Sequence, residues 1–360
     1  MTNADKTPAI VDTVEEARAL ARPPLLIREP LARYLNERGI GSGRLDATSI
    51  GEGHSNVTFL VLRDGAEFIL RRPPRPPFAA TAHDVLREAR ILSALATTDV
   101  RVPRVLLACE DESVLGVPFY VMERVAGDVI TATVPTRLDN EDQRRAIAFE
   151  LIDALVDLHA LDPSVSRLPT TNGAEYVSRQ LRRFDGLWAR HRTRDLPDVD
   201  HARRWLEAHA PPPAVPTIVH GDYRLGNVMY APGPRARLVA ILDWEIASVG
   251  DPLVDVGWLL STYPEPGDTS GTLLSMAGAV ARGGFPRRAE LAARYEERTG
   301  RSIRDLGWYT AFAFWRAAVG LESLYRRALN GSTDDPFLET LEHGVPELAE
   351  RALLATGGTG

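Results

Sequence analysis

Asp222, Arg224 and Asn227 stand at fixed offsets in the run Val219-His-Gly-Asp-Tyr-Arg-Leu-Gly-Asn-Val-Met229, between two short apolar stretches. The loop offers one carboxylate, one cation and one carboxamide. A carboxylate can take the proton of a hydroxyl. An asparagine oxygen five residues on can bind a magnesium ion, and the arginine between them can balance charge on a phosphate in transfer. His220 reads more plainly as a core histidine that shapes the loop, since histidines are commonly of intermediate burial.

A second acid leaves the end of an apolar strand in Ala240-Ile-Leu-Asp-Trp-Glu-Ile246, twenty-one residues after Asp222. Alone, Asp243 would be a turn residue. With the loop upstream it takes the place of the aspartate in Asp-Phe-Gly, a second magnesium ligand. A third motif is Ile50-Gly-Glu-Gly-His-Ser-Asn-Val-Thr58. Gly51 and Gly53 let backbone approach a phosphate closely, and Ser55 and Asn56 add donors. Taken alone, this is equally a glycine-rich β-turn. It is neither a P-loop, lacking Gly-Lys-Ser/Thr, nor a Rossmann fingerprint, because a strand follows where a helix should.

The elements that must position these groups change character along the chain. Val14 to Leu20 and Glu29 to Arg38 have helical spacing, after a first dozen residues that read as a tail. From Leu45 to Val125 the pattern spells β-β-β-α-β-β, with a hairpin signal at Asp64-Gly65 and a helix from Ala82 to Ala96. The proline-rich stretch Arg72 to Phe78 is a stiff loop. Beyond Gly127 helices dominate: 142–160, 174–191, 201–209, 253–260, 289–299, 306–328 and 337–354, around a strand-rich island from Thr217 to Trp244. Gly331 to Pro336 reads as a turn. In the helix from Leu306, Trp308, Tyr309, Phe312, Phe314 and Trp315 read as core, or more sharply as partial lining of an acceptor pocket. Asp251 and Asp255 read either as acids favoured at a helix N-terminus or, for Asp255, as a brace for the loop backbone.

Composition narrows the classes. The 360 residues carry 42 basic and 49 acidic side chains, a net charge of −7, which argues against a nucleic-acid or membrane-surface partner. With 44% hydrophobic and 25% charged residues the chain is an ordinary globular one. No apolar run reaches the roughly 18 residues of a membrane span; Arg316 interrupts the best candidate. The N-terminal residues lack a secretory pattern. Cys109 is the single cysteine, so a reducing cytoplasm is expected. Lys6 is the single lysine, so any catalytic task usual for lysine falls to arginine.

Jointly the motifs resemble the aminoglycoside phosphotransferase/choline kinase family, which has the protein-kinase-like fold. His-Gly-Asp-Tyr-Arg-Leu-Gly-Asn fits the His-x-Asp-x-x-x-x-Asn frame, and the resemblance covers roughly residues 45–330. The segments GEGHSN, FILRRPP and HDVLREARILSAL are similar to stand-alone bacterial phosphotransferases and to the kinase-like domain fused to some acyl-CoA dehydrogenases. The resemblance implies an α+β, two-lobed fold. Residues 1–44 would be an N-terminal tail with helices, 45–125 a small five-stranded nucleotide-binding lobe, and 126–360 a large helical lobe with the catalytic loop and acceptor site. It implies ATP and Mg2+ as cofactors. Asp222 would be the base, with Arg224 beside it, and Asn227 and Asp243 the metal ligands. Gly51, Gly53, Ser55 and Asn56 would cover the triphosphate. Arg71 would stand where kinases have lysine, contact phosphate and pair with Glu88; Arg72, the next residue, would point away. The Glu123 carbonyl and Val125 N–H, in the hinge, would meet adenine.

The function so implied is phosphate transfer from ATP to a hydroxyl of a small molecule. The acceptor is open among an aminoglycoside, a hydroxyacyl thioester and another hydroxylated metabolite. Residues 125–360 hold 32 acids and 26 bases, only mildly acidic, which does not favour a polycation. A nucleotide-binding pseudokinase is the reading of another class, but Asp222, Asn227 and Asp243 are all present. A protein kinase is disfavoured, because no Ala-Pro-Glu follows and the interval from Asp243 to Gly271 leaves little room for an activation segment.

Overall fold

A computed structural model describes residues 7–50, 56–75, 83–169, 173–329 and 336–357. The chain divides into two compact units, Met1–Ala126 and Gly127–Gly360.

The first unit is built on five antiparallel strands: β1 (Leu45–Ile50), β2 (Val57–Arg63), β3 (Ala66–Arg72), β4 (Val105–Cys109) and β5 (Phe119–Glu123). Their spatial order is β1-β2-β3-β5-β4. The Asp64-Gly65 hairpin pairs Arg63 with Ala66, and this register carries through to Val57 opposite Arg72. Alternation then sorts the side chains. Phe59, Val61, Phe68, Leu70 and Val121 join one buried cluster with Leu26, Leu31 and Leu35. Each such leucine contributes about 1.5–3 kcal/mol by leaving water. The last two leucines belong to α1 (Arg28–Asn36). Residues before 45 thus seal one face of the sheet. The expected tail is corrected in part: Ile10–Val11 pairs in parallel with Leu26–Ile27. Two residues are too few to show any periodicity. The helix expected from Ala82 to Ala96 forms as α2 (Val85–Leu95), capped by Asp84, whose Oδ1 accepts from the Arg87 N–H at 2.8 Å.

The second unit contains β6 (Asp128–Val129), α3 (Glu141–His159), α4 (Gly173–His191), α5 (Pro197–Ala208), β7 (Thr217–Val219), β8 (Val228–Tyr230), β9 (Leu238–Ile241) and β10 (Ser248–Gly250). It continues with α6 (Leu253–Ser261), α7 (Arg288–Thr299), α8 (Leu306–Leu329) and α9 (Pro336–Ala355). Helix α5 starts at Pro197, ahead of the expected His201, with proline at the first helical position and Asp198 and Asp200 in the first turn. The turn expected at Gly331 to Pro336 lies largely outside the described residues. Strands β9, β8 and β6 make one small sheet; β10 and β7 make another.

Trp308, Tyr309, Phe312, Phe314 and Trp315 of α8 are core. Trp308 and Phe312 stack with ring centroids 5.3 Å apart. The indole N–H groups of Trp308 and Trp315 donate to the carbonyls of Leu206 and Val199, at 2.9 and 3.1 Å. At the crossing of α6 and α8, a Cβ on Gly257 would lie 2.7 Å from the Tyr309 backbone, so only glycine admits this approach. Among the described residues no helix is long and apolar enough to cross a membrane.

Candidate active site

The loop between β7 and β8 carries a set of directed hydrogen bonds around Asp222 and Asn227. Its start is held by Asp255 of α6, fully buried, whose Oδ2 accepts from the His220 N–H and Oδ1 from the Gly221 N–H, each at 2.7 Å. The His159 Nε2–H, at the end of α3, donates to the same Oδ2 at 3.3 Å, while His159 Nδ1 lies 2.8 Å from the Tyr295 hydroxyl. Burial works to raise the Asp255 carboxyl, but the hydrogen bond and charge of His159, with the loop donors, hold it below the ordinary carboxylate range. Asp255 is therefore a brace for the loop, the sharper of its two readings. At Gly221 the chain turns with φ +89°, where a Cβ would also meet Ile246 at 2.9 Å.

His220 shapes the loop from inside. Its Nδ1 accepts from the Asp222 N–H at 3.2 Å, which places the proton on Nε2 to donate to the Leu242 carbonyl at 2.8 Å. Tyr223, fully buried, ties the loop to α3 through a 2.6 Å bond from its hydroxyl to the Leu151 carbonyl.

With the backbone fixed, the Asp222 carboxylate is gripped at both oxygens. Asn227 Nδ2 donates to Oδ2 at 2.8 Å and also to the Asp222 carbonyl at 2.8 Å. The Trp258 indole N–H donates to Oδ1 at 2.6 Å. Arg224 Nε lies 3.5 Å from the same Oδ1. The hairpin β8–β9 sets Val228 opposite Ile241, and the Leu242 N–H donates to the Asn227 carbonyl at 2.8 Å. One step on is Asp243, so its backbone lies one residue past the bond to Asn227. Asp243 has φ +66°, and among the described residues only Arg167 is another non-glycine at positive φ. Such a conformation is costly and tends to mark a functional position.

A magnesium ion suits this donor set. Both Asn227 hydrogen bonds engage its nitrogen, which fixes the amide and leaves Oδ1 as the atom for a cation. Asp243 adds a carboxylate. Magnesium takes oxygen ligands, often one or two from protein with phosphates and water completing the shell. Among the described residues no group of three or more His, Cys, Asp or Glu side chains is gathered for a metal.

In the first unit, Arg71 and Glu88 meet, with Nε 3.0 Å from Oε2 and the Glu88 side chain 1% exposed. Ile69 and Arg71 share one face of β3, and Phe68, Leu70 and Arg72 take the other. Arg72 points away from Arg71, as expected, and is buried, only 2% exposed. Its guanidinium donates to the carbonyls of Pro73 at 2.9 Å, Leu115 at 3.5 Å, and Leu25. Burial and the charge of Arg75 bring it down to about 10. Asn56 is buried, and its Oδ1 lies 3.2 Å from His83 Nδ1. Gly51, Gly53 and Ser55 lie outside the described residues. Glu123 ends β5 with its side chain accepting from the Arg104 N–H at 3.0 Å, and Val125 follows, half-buried.

Sequence reading missed Trp258, Arg316 and His159. Trp258 sits three residues after Asp255, one helical turn along the same face. Arg316 was visible as the one charge in an otherwise apolar, aromatic run, and a lone charge inside an apolar helix is a signal of a polar task.

Residues 46–309 match the phosphotransferase enzyme family. Acyl-CoA dehydrogenase family member 10 of Mus musculus is 30% identical over 345 residues, which cover 94% of this chain and 32% of that protein. Family member 11 of Homo sapiens is 29% identical over 335 residues, covering 90% of this chain and 42% of that protein. The chain therefore spans well under half the length of these curated relatives. A crystal structure from Ralstonia eutropha JMP134, described as a candidate aminoglycoside phosphotransferase, superposes with TM-score 0.73 and 31% identity, covering 91% of this chain and 98% of that one. The aminoglycoside phosphotransferase APH(4)-Ia, in complex with ADP and hygromycin B, shares the fold at TM-score 0.60 and 17% identity, covering 91% and 99%. By the match over residues 46–309 the chain is an enzyme of the phosphotransferase family.

Proposed function

We propose that the enzyme uses ATP and Mg2+ to transfer the γ-phosphoryl group to a hydroxyl of a small molecule. The observation that carries this reading is the state of Asp222: a carboxylate fixed at both oxygens by Asn227 and Trp258, on a loop whose backbone Asp255 holds. A rigidly held carboxylate suits a base that must meet one hydroxyl in one orientation. In the step, the acceptor oxygen bonds to the γ-phosphorus, the bond from that phosphorus to the β–γ bridging oxygen breaks, and the hydroxyl proton passes to Asp222. Asn227 and Asp243 would hold Mg2+, which when bound supplies charge neutralisation for the phosphates. Arg224 would attend the transferring group. Arg71, oriented by Glu88, would reach a phosphate oxygen, with Gly51, Gly53, Ser55 and Asn56 assigned to the triphosphate and the Glu123 carbonyl and Val125 N–H to adenine.

For the acceptor, a hydroxylated acyl thioester is favoured over an aminoglycoside. Two observations support it. Curated relatives carry this segment in proteins named as acyl-CoA dehydrogenases, so a shared acyl substrate is economical. The helical unit is also only mildly acidic, with 32 acids against 26 bases over residues 125–360, which offers a polycation no strong attraction.

Release of ADP, followed with Mg2+ and either ATP or GTP over a panel of hydroxyacyl-CoAs and aminoglycosides, tests the reading. Turnover is expected with ATP and a hydroxyacyl-CoA. Asp222→Asn should lower it by about 100- to 10,000-fold while nucleotide affinity stays within a factor of about two. Turnover of Asp222→Asn near wild type would overturn the base assignment, and preference for an aminoglycoside would overturn the acceptor.

A further inference from the structure

Helix α6 sends two side chains into the catalytic loop, one turn apart. Asp255 fixes the backbone at residues 220 and 221, and Trp258 reaches the side chain of residue 222. Trp258 is only 9% exposed. Behind it stands Arg316 of α8, whose guanidinium carbon lies 4.3 Å from the centre of the indole ring. Its Nη2 donates to the Gly221 carbonyl at 2.7 Å. Both contacts depend on the close α6–α8 crossing at Gly257, which lets a residue two turns past Tyr309 reach the loop. A cation over an indole is attracted by the face of the ring, most strongly where water is excluded.

The consequence lies in which lone pairs Asp222 has left. Asn227 occupies Oδ2 and the indole N–H occupies Oδ1. Arg224, from the same loop, also approaches Oδ1. Without the indole, Arg224 could swing in to form a closer pair with Asp222. That pair would turn the carboxylate and take Arg224 from the phosphate. We propose that Trp258, clamped by Arg316, is a positioning residue: its N–H holds the Asp222 carboxylate in the orientation that faces the acceptor hydroxyl and keeps Arg224 free for the phosphate. This rests on the base role proposed for Asp222.

Trp258→Phe keeps an aromatic face for Arg316 and removes the N–H. It should lower kcat by about 10- to 100-fold, the worth of one hydrogen bond to a charged group. KM for both substrates should stay within about twofold, because the lost contact orients rather than binds. The deciding measurement is a cycle with Asp222→Asn. If Trp258 acts through the carboxylate, adding Trp258→Phe to Asp222→Asn costs little further rate, less than about threefold. Full additivity would overturn the proposal, as would a kcat for Trp258→Phe within twofold of wild type. If Asp222→Asn alone retains wild-type turnover, the base assignment fails, a separate result. Should Trp258→Phe not fold, Arg316→Gln unclamps the indole without emptying its site. It should show a smaller fall in kcat at unchanged KM, and an unchanged kcat would again overturn the proposal.

Discussion

In the sheet unit, one peptide step separates a candidate functional cation from a structural one. Arg71 meets Glu88 on one face of β3, while Arg72 lies in the interior on the other, its donors spent on backbone carbonyls. In the helical unit a single carboxylate does both jobs. Asp255 lies at the heart of the packing and also sets the backbone of the loop that bears Asp222. The difference follows from the local geometry. A strand alternates its side chains between two environments, so tasks divide by parity. A loop has no such partition, and its shape must be imposed by a buried group that many donors share.

The strongest way to break this comparison is at Asp255. Asp255→Ala leaves the N–H groups of His220 and Gly221 without their acceptor, at about 1–3 kcal/mol each. Stability should fall by about 3 kcal/mol or more, measured as a shift in denaturant midpoint, and turnover should fall with it. Asp255→Asn keeps one accepting oxygen and should be intermediate. Acid should act the same way on the wild type. The folded carboxyl lies below its unfolded value, so its contribution is complete above the unfolded pKa of about 4 and is lost as pH falls through the lower, folded one. If Asp255→Ala is as stable as wild type yet inactive, function and stability separate there too, and the contrast disappears.

The two arginines sharpen the comparison at the next level of effect. Arg71→Ala should raise KM for ATP by about tenfold or more, given about 1.5–3 kcal/mol for a hydrogen bond to a charged group. Arg71→Lys should be intermediate, keeping charge and losing the planar fork. Arg72→Ala should leave KM for ATP within about twofold but lower stability by about 2–3 kcal/mol, since three carbonyls lose a buried donor. ATP titration and denaturant melts of the three variants distinguish the outcomes. Equal effects of the two alanine variants on KM would refute the division by parity.

What the sequence disclosed of this arrangement followed the reach of each signal. The β-β-β-α-β-β order, the hairpin at Asp64-Gly65 and the opposite facing of Arg71 and Arg72 are consequences of local chemistry and period two, so they were legible. The offsets of Asp222, Arg224 and Asn227 were legible because one loop carries them. Trp258 and Arg316 were not, since their contacts join residues 36 and 95 positions away in sequence. No local pattern encodes such a meeting; it arises where α6 and α8 each come against the loop. The depth of Arg72 was hidden for the same reason. It depends on Leu25 and Leu115, on segments far from β3. The short parallel pairing of Ile10–Val11 was hidden because it is two residues long.

The smallest expected effect comes from a neighbour that resembles Asp255 and differs in task. Asp251, 3% exposed, accepts the Tyr309 hydroxyl on Oδ2 at 2.6 Å and the Leu253 N–H on Oδ1 at 3.0 Å. Neither donor belongs to the catalytic loop, so Asp251 serves the start of α6 and its contact with α8. Tyr309→Phe keeps the ring in the core and removes one hydrogen bond to a buried carboxylate. A loss of about 1–2 kcal/mol is expected, with turnover within twofold. Burial already raises the Asp251 carboxyl above its ordinary value. Removing a donor to the anion raises it further, so the variant's penalty should grow with pH through the range, above the unfolded value, in which the folded wild-type group ionises. It should shrink as pH falls toward the unfolded value of about 4, where the folded group is protonated. Melts of wild type and Tyr309→Phe at neutral and mildly acidic pH measure this. A tenfold loss of turnover at preserved stability would move Asp251 from the packing into the active site, and the helical unit would then hold two functional carboxylates on α6's approach rather than one.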